Sequence, residues 1–256
     1  MKNIVRLCIF DTVTRNGKFI NKYSMPERHS GVLDVSVDNV IFGFDENILK
    51  VLVIERKPFP DEKKGMSAIP GDLVYPKESL DEAAARVLKD LTSLEGLFLK
   101  QFHTFGNPNR VKDLKDQEWL TNFRLNPERR VITIAYYSLI KMDDYQLLPS
   151  YFAEKAEWVD VLEVPDLAFD HNEIVSKALE ALRQGLDKEQ IGFELLPEKF
   201  TLTQLQNLYE IILNKKFDKR NFRKNIKKME HVVPLNEKQE GVLHKPAQLF
   251  KFEKAV

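Results

Sequence analysis

Apolar and polar residues begin to alternate at Val32. In VLDVSVDNVIFGF, Leu33, Val35 and Val37, and then Val40 and Phe42, take every second position, the period of a half-buried strand. A second β-branched run, LKVLVI at 49–54, follows the polar turn Asp45-Glu46-Asn47. The two runs are expected to pair as an antiparallel hairpin. Arg56 and Lys57 end the second run, and Pro58 and Pro60 bar its continuation. The period then changes to that of a helix: Leu80, Ala83, Ala84, Val87, Leu88 and Leu91 recur at helical spacing. Ser79 and Glu82 in front of that stripe form a capping box, so the helix should run from Ser79 to about Thr92.

Residues 97–105 (LFLKQFHTF) and 131–139 (VITIAYYSL) read as two further strands, separated by a long polar loop at 106–130. A loop of that length in a compact domain is usually functional. Residues 156–159 (AEWV) read as a short strand. Asp170 opens a second helix, with Ile174, Ala178, Leu179 and Leu182 as its apolar stripe, ending near Gly185. The order is two strands, helix, three strands, helix, which predicts a mixed sheet between helices. The first 30 residues read as a peripheral extension, although 4–10 (IVRLCIF) has strand character and Arg15-Asn16-Gly17-Lys18 that of a hairpin turn.

After a connector at 187–200 the pattern changes again. Thr201 and Gln204 make another capping box, ahead of a helix with Leu205, Leu208, Ile211 and Ile212 inward. A turn, Asn214-Lys215-Lys216-Phe217, leads to Asp218 and a second helix, KRNFRKNIKKM, with Phe222, Ile226 and Met229 on one face. The end, HVVPLNEKQEGVLHKPAQLFKF, reads as strand, turn, strand. Helix, short turn, helix, hairpin is the order of a winged helix-turn-helix.

Charge sharpens the division. The 256 residues are neutral overall, with 39 basic and 39 acidic side chains. From residue 199 onward there are 13 basic and 6 acidic, a net of +7, so the preceding 198 residues carry −7. A basic unit on an acidic body points to different partners for the two parts. Lys219, Arg220, Arg223, Lys224, Lys227 and Lys228 put six cations within ten residues, opposite the face fixed by Phe222, Ile226 and Met229. That is what a helix docked in a nucleic-acid groove requires. Arg220, Asn221 and Arg223 lie near its start, where base edges are read; arginine forks to guanine and asparagine to adenine. Gly241, His244 and Pro246 belong to the expected wing, with Lys245 placed to touch phosphate. A solvated lysine-rich face is the plainer explanation of the lysines alone.

The single cysteine, Cys8, excludes an intramolecular disulfide framework and a cysteine-rich zinc site. No signal-like leader and no uninterrupted apolar run of spanning length is present, so a cytoplasmic protein without a membrane helix is expected.

Residues 71–94, GDLVYPKESLDEAAARVLKDLTSL, resemble the Nudix box, a loop–helix–loop that binds divalent metal and cleaves nucleoside diphosphate derivatives. Aligned on its arginine, Glu78 takes the place of the first glutamate and Arg86 that of the arginine. Val87, Asp90 and Leu91 stand where glutamates would follow, Asp72 at the opening glycine and Ser93 at the closing one. Magnesium needs several carboxylate oxygens in near-octahedral order. Glu78, paired with Arg86 across the box, and Asp90 make a poor set, so no metal, cofactor or catalytic residue is expected. Glu118 or Glu128 from the long loop is the acid that would be needed to restore activity.

A degenerate box followed by a winged helix resembles the Nudix-related transcriptional regulators, which include repressors of NAD metabolism that sense ADP-ribose. The chain most closely resembles the arabinose-responsive regulators of Bacteroides-type bacteria. The segments carrying this are DNVIFGF, SLDEAAARVLKDLTSLEG, FHTFGNPNR, RRVITIAYYSL, AEWVDVLEVPDLAFDH, IGFELLPEKFTLTQLQNLYE and DKRNFRKNIKKME. Two features depart from the family: the extension at 1–30 and the added stretch VKDLKDQEWLTNFR after Asn109-Arg110. The resemblance implies an α+β fold: a Nudix-like α/β/α sandwich at 31–186, then a linker at 187–200 and a winged helix at 201–256. It implies a homodimer on a double-stranded DNA operator, with a small sugar or nucleotide-sugar as effector. Asn107, Arg110 and Arg130, which flank the long loop, are the candidate effector-binding residues. Asp170-His171 belongs to a family FDH pattern, and capping alone also accounts for Asp170. The alternative is an active hydrolase of the ADP-ribose pyrophosphatase type with an appended interaction domain.

Overall fold

The computed structural model describes residues 32–45, 48–56, 66–121, 126–142, 153–188, 192–242 and 245–253. The chain divides into two units, Met1–Val32 and Leu33–Val256. The strand and turn expected within residues 4–18, Glu46-Asn47 of the first hairpin, and His244 of the wing lie outside the described residues.

The elements are β1 (Asp34–Phe44), β2 (Leu49–Arg56), β3 (Ser67–Ala68), β4 (Gly71–Leu73), α1 (Leu80–Thr92), β5 (Lys100–Phe105), α2 (Leu114–Thr121), β6 (Val131–Lys141), β7 (Ala153–Asp160), α3 (His171–Lys188), β8 (Phe200–Thr201), α4 (Leu202–Leu213), α5 (Lys219–Ile226), β9 (Val232–Lys238) and β10 (Gln248–Phe252). The first seven strands form one sheet with the spine β3-β2-β1-β6-β5; β4 also pairs with β1 and β7 with β2. β1 runs parallel to β6 from Asp34–Val131 to Phe44–Lys141. The other pairings, including the expected β1–β2 hairpin, are antiparallel, so the sheet is mixed.

Both faces of β1 are buried, and its alternation distributes two cores. Val37 and Ile41 face α1, packing with Ala83, Ala84, Val87 and Leu88. Val40, Phe42 and Phe44 face α3, packing with Ile174, Ala178 and Leu182. The result is helix, sheet, helix. The α1 capping box is formed as expected: Ser79 Oγ accepts from the Glu82 amide, and the Glu82 carboxylate accepts from the Ser79 amide. Ser93 ends the helix in the left-handed region, at φ 62°.

The second sheet is β8-β10-β9, antiparallel throughout. Phe200, Leu205, Tyr209, Phe222, Ile226 and Phe250 fill the space between it and α4 and α5. The Thr201–Gln204 box on α4 and the Asp218 cap on α5 are both formed. Within the segment read as a connector, Phe193 stacks on Phe252 at 4.2 Å and joins this core. The two cores also meet, because Leu208 and Ile212 of α4 pack with Leu182 and Leu186 of α3. Arg183 Nε donates to the Ile212 carbonyl at 2.9 Å.

Four expectations need correction. The 106–130 loop contains α2, whose polar composition hides its period. The short strands β3, β4 and β8 carry too few residues for any alternation to show. α5 ends at Ile226 rather than Met229, because i→i+3 bonds from Lys228 and Met229 tighten the last turn. α3 starts at His171 and extends to Lys188.

Candidate functional site

In the box, Arg86 and Glu78 form a two-pronged ion pair, Nε to Oε2 at 2.9 Å and Nη2 to Oε1 at 2.8 Å. Nη2 also donates to the Leu73 carbonyl at 2.9 Å, and the guanidinium lies 3.8 Å from the centre of the Tyr75 ring. The Tyr75 amide donates to Glu78 Oε1 at 2.8 Å. The Arg86 hydrogen bond, helped by the Tyr75 amide and opposed by desolvation, holds the Glu78 carboxyl below its ordinary range. The ion pair expected across the box is therefore present. Asp90 stands 3.9 Å from Arg86 and is half exposed. Val87 and Leu91 are buried against the sheet.

These residues do not fit a divalent metal. Glu78 is held by a cation, Glu82 is engaged in the cap, and two of the positions facing the box are aliphatic. Among the described residues no group of three or more His, Cys, Asp or Glu side chains could hold a metal ion. Glu128 is exposed, and the Glu118 side chain lies outside what is described.

The candidate effector residues separate. Asn107 is exposed, and its Oδ1 accepts from the Asn109 amide at 2.9 Å, closing a local turn. Arg130 is exposed and donates to the Gly106 carbonyl at 3.0 Å, tying the end of the loop to its start. Arg110 points inward. Its Nε and Nη2 take both oxygens of Asp170 at 2.8 and 2.7 Å, with Asp38 Oδ2 at 3.5 Å. Its fork is thus filled by protein carboxylates rather than open to a ligand. Burial opposes its charge, but the Asp170 and Asp38 carboxylates outweigh that and raise its pKa. Asp170, read as a helix cap, has both side-chain oxygens committed to this pair.

The network extends further. Thr133 Oγ1 donates to Asp38 Oδ2 at 2.6 Å, and Ser36 Oγ donates to Thr133 Oγ1 at 2.8 Å. His171 Nδ1 accepts from the Ile69 amide at 3.3 Å, and its Nε2 lies 3.5 Å from Asp38 Oδ1. A Cβ on Gly71 would fall 1.9 Å from Asp38 Oδ1, so only glycine fits there. Asp38 and Thr133 escape sequence reading because each sits inside an apolar strand pattern.

The winged helix shows the opposite arrangement. Phe222 and Ile226 hold α5 to the core. Phe217 and Phe222, with ring centroids 5.7 Å apart, staple its entry. Lys219, Arg220, Asn221, Arg223 and Lys224 are exposed on the helix, and Lys227 and Lys228 in the turn after it. None of these six cations pairs with a carboxylate among the described residues. Elsewhere in the same unit Lys199, Lys216 and Lys251 each do. Lys245 is exposed between β9 and β10. The structure thus leaves exposed the same-sign charge that the sequence pointed to.

Fold and site together define a winged helix joined to a Nudix-like domain whose box is degenerate. Residues 192–252 match the model of the NrtR DNA-binding winged helix domain. The chain is 30% identical over 238 residues to the ADPR responsive transcriptional repressor NtrR of Acinetobacter baylyi, covering 91% of this chain and 87% of that protein. It is also 30% identical over 141 residues to the ADP-ribose pyrophosphatase of Methanocaldococcus jannaschii, covering 55% of this chain and 70% of the enzyme. The crystal structure of Shewanella oneidensis NrtR superposes with a TM-score of 0.61 at 26% identity, covering 86% of this chain and 94% of that one. The same protein complexed with a 27mer DNA gives 0.60 at 24% identity, covering 86% and 93%. The chain belongs to the NrtR family of transcriptional regulators, which join a Nudix fold to a winged helix.

No described helix is long and apolar enough to cross a membrane.

Proposed function

We propose that this chain is a cytoplasmic regulator that binds a double-stranded operator through α5 and releases or tightens its hold when its Nudix-like domain binds a nucleotide-sugar. The observation that carries this reading is the unpaired cationic face of α5, set on a winged-helix core. Arg220, Asn221 and Arg223 are assigned to base edges, and Lys219, Lys224, Lys227 and Lys245 to phosphates. Residues 31–186 serve as the effector domain, 187–200 as the link and 201–256 as the DNA-binding domain. A homodimer suits a two-fold operator.

For the effector, the relationship to the Acinetobacter repressor favours ADP-ribose. L-arabinose is the rival implied by resemblance to the arabinose-responsive regulators. Asn107 and Arg130 are the groups assigned to the ligand, with Arg110 anchoring their loop from inside. Effector control then follows from linkage: a ligand changes DNA affinity only by its differential affinity for the free and DNA-bound arrangements.

The test is DNA binding by the intact chain with ADP-ribose and L-arabinose in separate arms, repeated across a salt series. Steep loss of affinity with salt supports phosphate contacts; a flat salt response argues for a protein partner at α5 instead. The ligand that shifts DNA affinity should also raise the melting temperature. Magnesium-dependent turnover of ADP-ribose that Asp90→Ala abolishes would replace this reading with the hydrolase.

A further inference from the structure

We propose that Gln206 and Glu210 are positioning residues for the DNA-reading helix, a buried clamp on α4 that grips the backbone of Phe217 and thereby sets the angle of α5. The inference rests on the DNA-binding reading of α5 and adds how that helix is aimed.

Gln206 and Glu210 are one turn apart on α4 and both are buried, at 7% and 9% exposure. Gln206 Nε2 donates to Glu210 Oε1 at 2.8 Å and to the Phe217 carbonyl at 3.0 Å. Glu210 Oε1 accepts from the Phe217 amide at 3.0 Å, and Oε2 accepts from Lys216 Nζ at 2.8 Å. The pair therefore holds the N–H and the C=O of one residue. That residue immediately precedes Asp218, whose Oδ1 accepts from the Arg220 and Asn221 amides at 3.1 and 2.9 Å. A continuous chain of bonds runs from α4 to the first turn of α5.

Burying a carboxylate and an amide in a small core is costly unless both are satisfied. Two leucines would fill the volume, but apolar contact is non-directional, whereas hydrogen bonds fix angles. Direction matters because α5 has eight residues and is about 12 Å long at the standard rise per residue. A tilt of about 10° at Phe217 moves its far end by about 2 Å, enough to break a side chain's hydrogen bonds to a base edge. Long lysines reaching phosphates tolerate such a shift. The clamp should therefore govern sequence preference more than overall attraction for DNA.

The test compares Glu210→Ala, Glu210→Gln and Gln206→Leu in the full chain. The probes are a duplex selected by the wild-type chain from a random pool and a scrambled duplex of equal length. Glu210→Ala should weaken binding to the selected duplex by about tenfold or more. It should leave the scrambled duplex within about twofold and the salt slope unchanged. Glu210→Gln, which keeps an acceptor for the Phe217 amide, should restore most of the preference. Equal losses on both duplexes, or wild-type preference in Glu210→Ala, would overturn the proposal. If Glu210→Ala does not fold, Gln206→Leu carries the test, with a partial loss of preference expected and no loss overturning it. If the wild-type chain selects no sequence, the DNA-binding reading falls instead, and hydrogen exchange at the Phe217 amide decides the clamp. Faster exchange in Glu210→Ala than in Glu210→Gln supports the grip on that amide, and equal exchange overturns it.

Discussion

Arg86 on α1 and Arg223 on α5 both lie on helices with side-chain-capped N-termini, yet their surroundings differ in kind. Arg86 is enclosed by Glu78, the Leu73 carbonyl and the Tyr75 ring, with 19% of its side chain exposed. Arg223 is exposed, with no acidic partner among the described residues. A charge met by protein groups on every side is part of the fold. A charge left to solvent beside others of its own sign raises the local field and remains available to a polyanion. The arginine of the box is met by internal partners, whereas the cations of α5 face outward.

Substitutions can break or sharpen that contrast. The largest stability effect is expected for Arg110→Met, which leaves the buried Asp38 and the half-buried Asp170 without their cation. The cost should be about 3–5 kcal/mol in urea unfolding, and a loss under 1 kcal/mol would mean the pair is solvated. Arg223→Ala should cost about 1–3 kcal/mol of operator binding while leaving unfolding within about 0.5 kcal/mol. Unchanged DNA affinity would remove Arg223 from the reading set. Arg86→Met should cost about 1–2 kcal/mol of stability and nothing in DNA affinity; an effect confined to DNA would invert the comparison.

The smallest effect is on pH dependence. The Lys216, Gln206 and Phe217 hydrogen bonds hold the Glu210 carboxyl down at about 2, against an ordinary value of 4.5. A depressed carboxylate contributes its stability above the ordinary value and loses it as pH falls through the folded one. Unfolding measured from pH 5 downward should show a winged-helix component weakening between 4.5 and 2. Glu210→Gln should flatten that component.

Much of the architecture is legible because single elements announce themselves. The Ser79 and Thr201 boxes and the Phe222–Ile226 stripe are local signals, and each forms as the residues suggest; the β1 alternation marks a strand, but one buried on both faces rather than half-buried. What escapes is joined only by folding. Asp38, Arg110 and Asp170 are far apart in the chain, and nothing near Arg110 marks it as inward-facing. Gln206 and Glu210 look like the polar side of an amphipathic helix until the turn at Phe217 folds back over them. Asn107 and Arg130 could be seen to flank a long loop, but not that Arg130 would bond the Gly106 carbonyl. The cationic face of α5 was readable because same-sign charge opposite an apolar stripe needs no tertiary partner to be noticed.

The parallel pairing of β1 with β6 has a consequence for biosynthesis. Residues 97 positions apart, such as Ser36 and Thr133, must come together. At ordinary ribosome speeds the growing polypeptide waits about 5–20 s between emergence of the earlier strand and arrival of its neighbour. Through that interval one flank of a strand carrying Val35, Val37, Val40, Ile41 and Phe42 stays unmatched and open to self-association. Slower translation across 57–130 should therefore lower the recovered yield of this regulator, even though its finished form is unaltered.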